Sequence, residues 1–433
     1  MSIKKVLILT LTAGGGHIQA AKAKYMETKA QLPDTNIIEV DILYDWIWKY
    51  FGKFAKHMWG DAQARGNVFF LVCLSHALKL ADYIFWLPFF LHAARMCKRE
   101  NIDKIIDTQP LATSAVIKAL RFIKWRTGKE IVYEKVLTDL PTVEAKHFFG
   151  GIKSLSKKDS PFLKVLTTRP ILGKDETEAD FWKKNCNLPL SSILYAPLPL
   201  RPAFFQFGLS PERAFSLNLS IPCASDLHLT YKTLSFGSLQ AKRSKHSITI
   251  PIESGDKVAL MMLGANPNPE AILAYTNHFI HRLQAISDPT RNDLFFIFCS
   301  SQVTIKPNLR TRILNLLEKT KNYPKNLTII PISHQNDMII APLLHRSDAT
   351  ITRSGGLTSM ELLSVASGKI YIHKEPSSIN LPKFIPSTKI FHEGMPSWES
   401  GNARYLELRK GAQIITPETF ETVTNDYFSL EKR

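Results

Sequence analysis

The most constraining feature of the chain is a short apolar run that stops abruptly in glycine. Lys5–Thr12 holds Val6-Leu7-Ile8-Leu9 and ends in Thr12-Ala13-Gly14-Gly15-Gly16-His17. Ile18–Lys29 follows with helical composition rich in Ala and Lys, and Ile37–Val40 reads as a second short strand. Strand, glycine loop, helix, strand is the opening of a doubly wound α/β unit. The glycines let the backbone turn tightly and approach a ligand, and the helix behind them offers its free N–H groups. Lys4-Lys5 before an apolar run also opens signal peptides. Here the run is short and ends in glycines and a histidine instead of a cleavage-like site, so a buried strand is expected.

The alternation continues. Ile102–Asp107 and Ile131–Leu137 read as strands around the helical stretch Ala112–Trp125, giving an N-terminal unit over residues 1–204. Residues 205–255 are Ser-rich, show few periodicities and are expected to be an irregular linker or insertion. The pattern restarts with Val258–Leu263, which ends in Gly264-Ala265-Asn266, and continues through Leu294–Cys299, Leu327–Ile330 and Ala349–Thr352. Two Rossmann-like α/β domains, 1–204 and 256–433, facing each other across a cleft are therefore expected. A length of 433 residues suits two or three domains.

Fifty-five Lys and Arg against 38 Asp and Glu leave a formal charge of +17. That excess points to a polyanion: nucleic acid, an anionic membrane surface or a phosphorylated small molecule. No recognised nucleic-acid motif accompanies it, which demotes the first. Five scattered cysteines without a C-x-x-C suit a reducing, cytoplasmic compartment better than a disulfide framework. Asp45–Arg99 is dense in aromatics, from Trp46 to Phe90, with Lys49, Lys53, Lys56, Lys79, Arg95, Lys98 and Arg99 among them. Lys118, Arg121, Lys124 and Arg126 follow. Such a mixture fits a peripheral membrane face, and it equally fits two ordinary core helices. No stretch reaches the ~20 apolar residues of a membrane span.

Three motifs carry chemistry. His17, at a strand end facing the cleft, is placed for proton transfer. Thr352-Arg353-Ser354-Gly355-Gly356-Leu357-Thr358-Ser359-Met360-Glu361 also runs from a strand into a helix. There Gly355 and Gly356 would present N–H groups to a diphosphate, and Glu361 would accept ribose hydroxyls or merely complement the helix dipole. In Trp398-Glu399-Ser400-Gly401-Asn402-Ala403, Glu399 and Asn402 would hold sugar hydroxyls, or Ser400 would simply cap a helix.

Taken in order, these segments resemble those of the monogalactosyldiacylglycerol synthases and processive diacylglycerol glucosyltransferases. More distantly they resemble the lipid-linked N-acetylglucosaminyltransferase of peptidoglycan synthesis. The resemblance spans about residues 5–200 and 257–415. It is carried by Thr12–His17, Ile105–Leu111, Leu137-Thr138-Asp139-Leu140-Pro141-Thr142, Leu198-Pro199-Leu200-Arg201-Pro202-Ala203-Phe204, Ser354–Glu361 and Glu399–Ala403. It implies a GT-B fold and transfer of a hexose, with inversion, from a nucleotide sugar, usually UDP-linked, to a lipid such as diacylglycerol. Position by position, Arg353, Ser354, Gly355, Gly356, Leu357 and Thr358 would hold the diphosphate and Glu361 the ribose. Glu399, Ser400 and Asn402 would face donor sugar and phosphate. Gly14, Gly15 and Gly16, with Gly264 and Asn266 in the second domain, would form loops against acceptor or phosphate. His17 is the implied base, with Asp139 its rival or helper. The chain holds no Asp-x-Asp, so this reading needs no metal cofactor. Arg353 stands where a lysine is common, the Gly264 loop has fewer glycines than usual, and the 369–397 and 205–255 stretches depart from the family. A protein or soluble-glycan acceptor, or a non-catalytic nucleotide-sugar or membrane-binding module, are the alternatives.

Overall fold

A computed structural model describes residues 3–12, 15–144, 150–156, 158–206, 213–285, 291–299, 307–376 and 394–423. Gly14 and most of 369–397 lie outside them. The apolar run is a strand, β1 (Lys5–Thr10), and it is central. It pairs in parallel with β2 (Asn36–Asp41) on one side and β3 (Lys104–Asp107) on the other, Leu7 lying opposite Ile38 and Ile105. Val6 through Leu9 are fully buried because helices cover the sheet. β4 (Val132–Val136), β5 (Leu163–Thr167) and β6 (Ile193–Tyr195) complete a six-stranded parallel sheet of order β2-β1-β3-β4-β5-β6. Its helices are α1 (Gly16–Gln31), α2 (Lys49–Ala64), α3 (Val68–Ile84), α4 (Trp86–Arg99), α5 (Thr113–Thr127), the short α6 (Gly150–Lys153), α7 (Glu178–Cys186) and the short α8 (Ala203–Gln206).

The segment expected to be irregular is not. Within 213–255 lie β7 (Phe215–Ser220), α9 (Ala224–Leu234), β8 (Lys242–Arg243) and β9 (Ser247–Ile252), the strands forming an antiparallel sheet of order β7-β9-β8. Leu217, Leu219, Ile248, Ile250 and Ile252 are buried on one face, in one core with Val258 and Leu260. The period-2 alternation Ser-Leu-Asn-Leu-Ser and Ser-Ile-Thr-Ile-Pro-Ile is what builds it.

The second parallel sheet comprises β10 (Lys257–Met262), β11 (Asp293–Phe298), β12 (Leu327–Ile332), β13 (Ala349–Thr352), β14 (Lys369–His373) and β15 (Gln413–Ile415). Its order is β12-β11-β10-β13-β14-β15. Its helices are α10 (Pro269–Ala285), α11 (Leu309–Lys319), α12 (Asp337–Arg346), α13 (Gly356–Val365), α14 (Ser397–Lys410) and α15 (Pro417–Val423). In each sheet the chain reverses its direction of winding once, between β1 and β3 and between β10 and β13. Crevices at the carboxyl ends of such strands are where ligands bind in open α/β sheets. All the glycine loops named above follow these strands. This is the expected GT-B architecture, two doubly wound sheets with a cleft between them.

The aromatic–basic stretch divides between the two readings of it. Trp46 and Phe89 are core residues, and Trp59 stacks on Trp398 with ring centres 6.0 Å apart. Trp48 (64% exposed), Tyr83 (82%) and Trp125 (75%) face outward, as do Tyr50, Phe54, Ile84 and Leu87. No single described helix is long and apolar enough to cross a membrane. α3 and α4 pass that test only as a pair bent by 63°.

Candidate active site

A cavity of about 350 Å³ opens between the two sheets. From the first sheet's side it is lined by Gly16, His17, Thr138 and Asp139, and from the second's by Gly355, Gly356, Leu357, Trp398 and Glu399. Residues up to 383 positions apart in sequence, Gly16 and Glu399, thus meet because both switch points face the cleft.

His17 stands in the first turn of α1, which is preceded by Gly15 at its N-cap, where φ is +79° and a side chain would be strained. Its Nδ1 lies 2.7 Å from the Thr108 carbonyl oxygen and 3.2 Å from Thr138 Oγ1. A carbonyl only accepts, so Nδ1 carries the proton and Nε2 is the basic nitrogen. Thr108 is itself anchored, its hydroxyl donating to the carbonyls of Leu9 and His17. Burial, with a smaller contribution from the Lys135 ammonium, pushes the His17 pKa down to about 4, while the Thr108 contact opposes them. The imidazole is therefore neutral at neutral pH.

Asp139, after β4, is buried and keeps its proton up to a pKa of about 7. Desolvation is the main cause, the Glu399 carboxylate adds to it, and a hydrogen bond from Asn402 opposes it. That bond, Asn402 Nδ2 to Asp139 Oδ1, is 2.8 Å long. Asn402 also donates to the Ser354 carbonyl (2.9 Å) and accepts from the Leu140 N–H (2.8 Å). Fully buried on α14, it clasps the two sheets together, which is not the sugar contact expected of it.

Other expected donor contacts are likewise taken up within the protein. Arg353 is buried and forms a two-pronged ion pair with Glu399, Nε to Oε2 at 3.1 Å and NH2 to Oε1 at 2.9 Å. A planar guanidinium can do this and a lysine cannot. The Ser354 hydroxyl donates to the Glu399 carbonyl at 2.7 Å. Glu361 is buried against Arg201, 3.0 Å from its NH2, and burial raises its pKa while Arg201 opposes the rise. Ser354, Thr358, Glu361, Ser400 and Asn402 do not line the cavity. Asn266 is buried and donates to Gln63 on α2 (3.2 Å), and Gly264 turns with φ +85° beside Arg353.

Gly355 and Gly356 form the cavity wall at the N-terminus of α13, as the motif predicts for an anion site. A Cβ on Gly356 would lie 1.8 Å from the Thr138 carbonyl oxygen and 2.7 Å from Asp139 Oδ1. Close approach of the other sheet, as much as any phosphate, requires glycine there. Sequence reasoning missed Trp59, Gln63, Lys79 and Asp82 as lining residues of the cavity. Nothing in local spacing marks them, since they reach it from α2 and α3, outside the strand-end motifs.

No protein-family model and no curated protein sequence matches the chain. Among solved structures it is similar to MurG of Acinetobacter baumannii, with 12% identity, TM-score 0.46, and 98% of this chain and 91% of that one covered. It is also similar to UDP-GlcNAc 2-epimerase of Neisseria meningitidis bound to UDP-GlcNAc, with 10% identity, TM-score 0.43 and 98% and 94% covered. A third is α,α-trehalose-phosphate synthase of Burkholderia xenovorans with glucose-6-phosphate, with 10% identity, TM-score 0.44 and 99% and 93% covered. Likeness at this level says nothing about individual site residues.

Proposed function

We propose that the protein is an inverting glycosyltransferase that moves a hexose from a nucleotide sugar, UDP-linked, to a lipid acceptor such as diacylglycerol. The N-terminal unit, to residue 204, would take the acceptor and the unit from residue 256 the donor. The observation that carries this reading is the single cavity shared by His17 and the N-terminus of α13. A neutral histidine and an uncapped helix N-terminus in one cleft are a base and an anion site side by side. His17 Nε2 takes the proton of the acceptor hydroxyl as its oxygen attacks the anomeric carbon. The bond from that carbon to the diphosphate oxygen breaks, and its electron pair leaves with UDP. Charge developing on the departing diphosphate is met by the N–H groups at Gly355 and Gly356. The acceptor assignment draws on the resemblance of the ordered motifs and on the exposed Trp48, Tyr83 and Trp125 among basic residues. The test is transfer of labelled hexose from UDP-hexose to dioctanoylglycerol in vesicles, with wild type and His17→Ala side by side.

A further inference from the structure

The far side of the cavity is built by α3, a helix that no site motif contains. Ser75, Leu78, Lys79 and Asp82 face the cavity together, at helical spacing i, i+3, i+4 and i+7. Leu80, Tyr83 and Ile84, interleaved with them, are exposed on the outer surface. One helix thus joins the polar interior of the cleft to an apolar exterior.

Asp82 is the distinctive member of this face. Its Oδ1 accepts the Ala112 N–H at 2.6 Å. Ala112 is a non-glycine residue at φ +57°, a conformation that side chains rarely adopt. The loop before it is held rigidly. Gln109 donates to the Leu111 carbonyl and accepts from the Leu111 N–H, both at 2.6 Å, and its own N–H reaches Asp107. Strain of this kind persists where the surroundings over-determine it, and it gathers at ligand clamps. No ion pair joins Lys79 to Asp82 or neutralises either among the described residues. A half-buried carboxylate without a direct ion-pair partner among the described residues therefore stands in the wall of the same cavity as His17. Burial, the main cause, raises its pKa, with a smaller push from Asp107 and opposition from the Ala112 N–H and Lys135.

We propose that Asp82 is an acceptor-binding residue. Its carboxylate accepts a hydrogen bond from one hydroxyl of an acceptor head group that carries two vicinal hydroxyls, such as a monoacylglycerol, holding the neighbouring hydroxyl toward His17 while the acyl part leaves over Leu80 and Ile84. This rests on the glycosyltransferase reading above. The competing role is simple capping of α5 through Ala112, and asparagine caps as well as aspartate does. Asp82→Asn separates the two, because its amide oxygen can still serve Ala112 and its amide NH2 replaces the acceptor facing the cavity.

The experiment measures transfer from UDP-hexose to monooctanoylglycerol in phosphatidylcholine vesicles, with dioctanoylglycerol, which has a single free hydroxyl, run in parallel, together with donor hydrolysis without acceptor, thermal unfolding, and tryptophan fluorescence on titration with monooctanoylglycerol. The expected result for Asp82→Asn is an acceptor KM raised about tenfold to a hundredfold, the size of one hydrogen bond to a charged group. Donor KM, donor hydrolysis and the unfolding midpoint should be unchanged, with a matching loss in the fluorescence titration. Asp82→Glu should recover part of the acceptor affinity. An acceptor KM within twofold of wild type, in an enzyme that transfers, overturns the role of Asp82 and leaves the transferase reading intact. Transfer to dioctanoylglycerol but not to monooctanoylglycerol overturns the role of Asp82 alone, and wild type that neither transfers to nor binds either lipid overturns both.

Discussion

Asp139 should make the protein lose stability as pH rises through neutrality, and Asp139→Asn should abolish that loss. In an unfolded chain the carboxyl titrates near 3.8, and in the folded protein burial, reinforced by Glu399, raises this to about 7. Below 3.8 it is protonated in both states and contributes nothing. Between the two values the unfolded chain has released the proton and the folded protein still holds it, so stability falls with rising pH. Above about 7 the full cost is present. At 1.36 kcal/mol per pH unit the gap corresponds to on the order of 4 kcal/mol. His17 works in the opposite sense, its low folded pKa adding stability as pH rises from about 4 to 6.5. A wild-type curve alone would therefore blur the effect, and the difference between variant and wild type isolates it. Asp139→Asn keeps an oxygen for the 2.8 Å bond from Asn402. Urea unfolding followed by tryptophan fluorescence at pH 4, 5, 6, 7 and 8 is the assay. The variant should match wild type near pH 4 and exceed it by a few kcal/mol at pH 8. A difference that stays constant across this range would refute the reasoning, since it would mean that Asp139 ionises freely in the folded state.

Three further outcomes follow from the contacts. Glu399→Gln leaves Arg353 buried without its counter-charge and should cost about 3–5 kcal/mol, and saturating UDP should raise the variant's melting temperature more than the wild type's by supplying an anion; equal shifts in calorimetry would argue that Arg353 does not reach the donor. Gly356→Ala drives a Cβ into the Thr138 carbonyl and should push the sheets apart, seen as a lower melting temperature and faster proteolysis. Replacing exposed Tyr83 and Trp125 by Ser should leave the melting temperature within a degree or two and weaken flotation with anionic vesicles several-fold; unchanged flotation would place membrane contact elsewhere.

The sheets were legible because their strands are continuous apolar runs. Val6–Leu9 and Leu294–Phe298 announce themselves, and the glycine loops behind β1 and β13 mark both switch points. The antiparallel strands at 215–252 were legible in principle through Leu217/Leu219 and Ile248/Ile250/Ile252, and the Ser-rich composition masked that alternation. What sequence does not carry is which polar residues serve the fold. Arg353, Glu399 and Asn402 have the chemistry of a donor site, and the structure joins them to one another and to Asp139. Those pairings depend on how closely two sheets approach, which no local spacing encodes. Trp59, Gln63 and Asp82 were hidden for the same reason. They lie in helices whose aromatic and basic residues point as much to a membrane as to a cleft, and the structure divides those residues between core, interface and surface.

Whether His17 and the N-terminus of α13 form one transfer site is tested most directly by the paired assay with labelled UDP-hexose and dioctanoylglycerol vesicles. The expected result is glycolipid product with wild type, loss of about 10²–10⁴-fold in rate for His17→Ala, and UDP affinity retained in that variant. Unchanged transfer by His17→Ala, or wild type that neither binds UDP nor turns over any UDP-hexose, would contradict it.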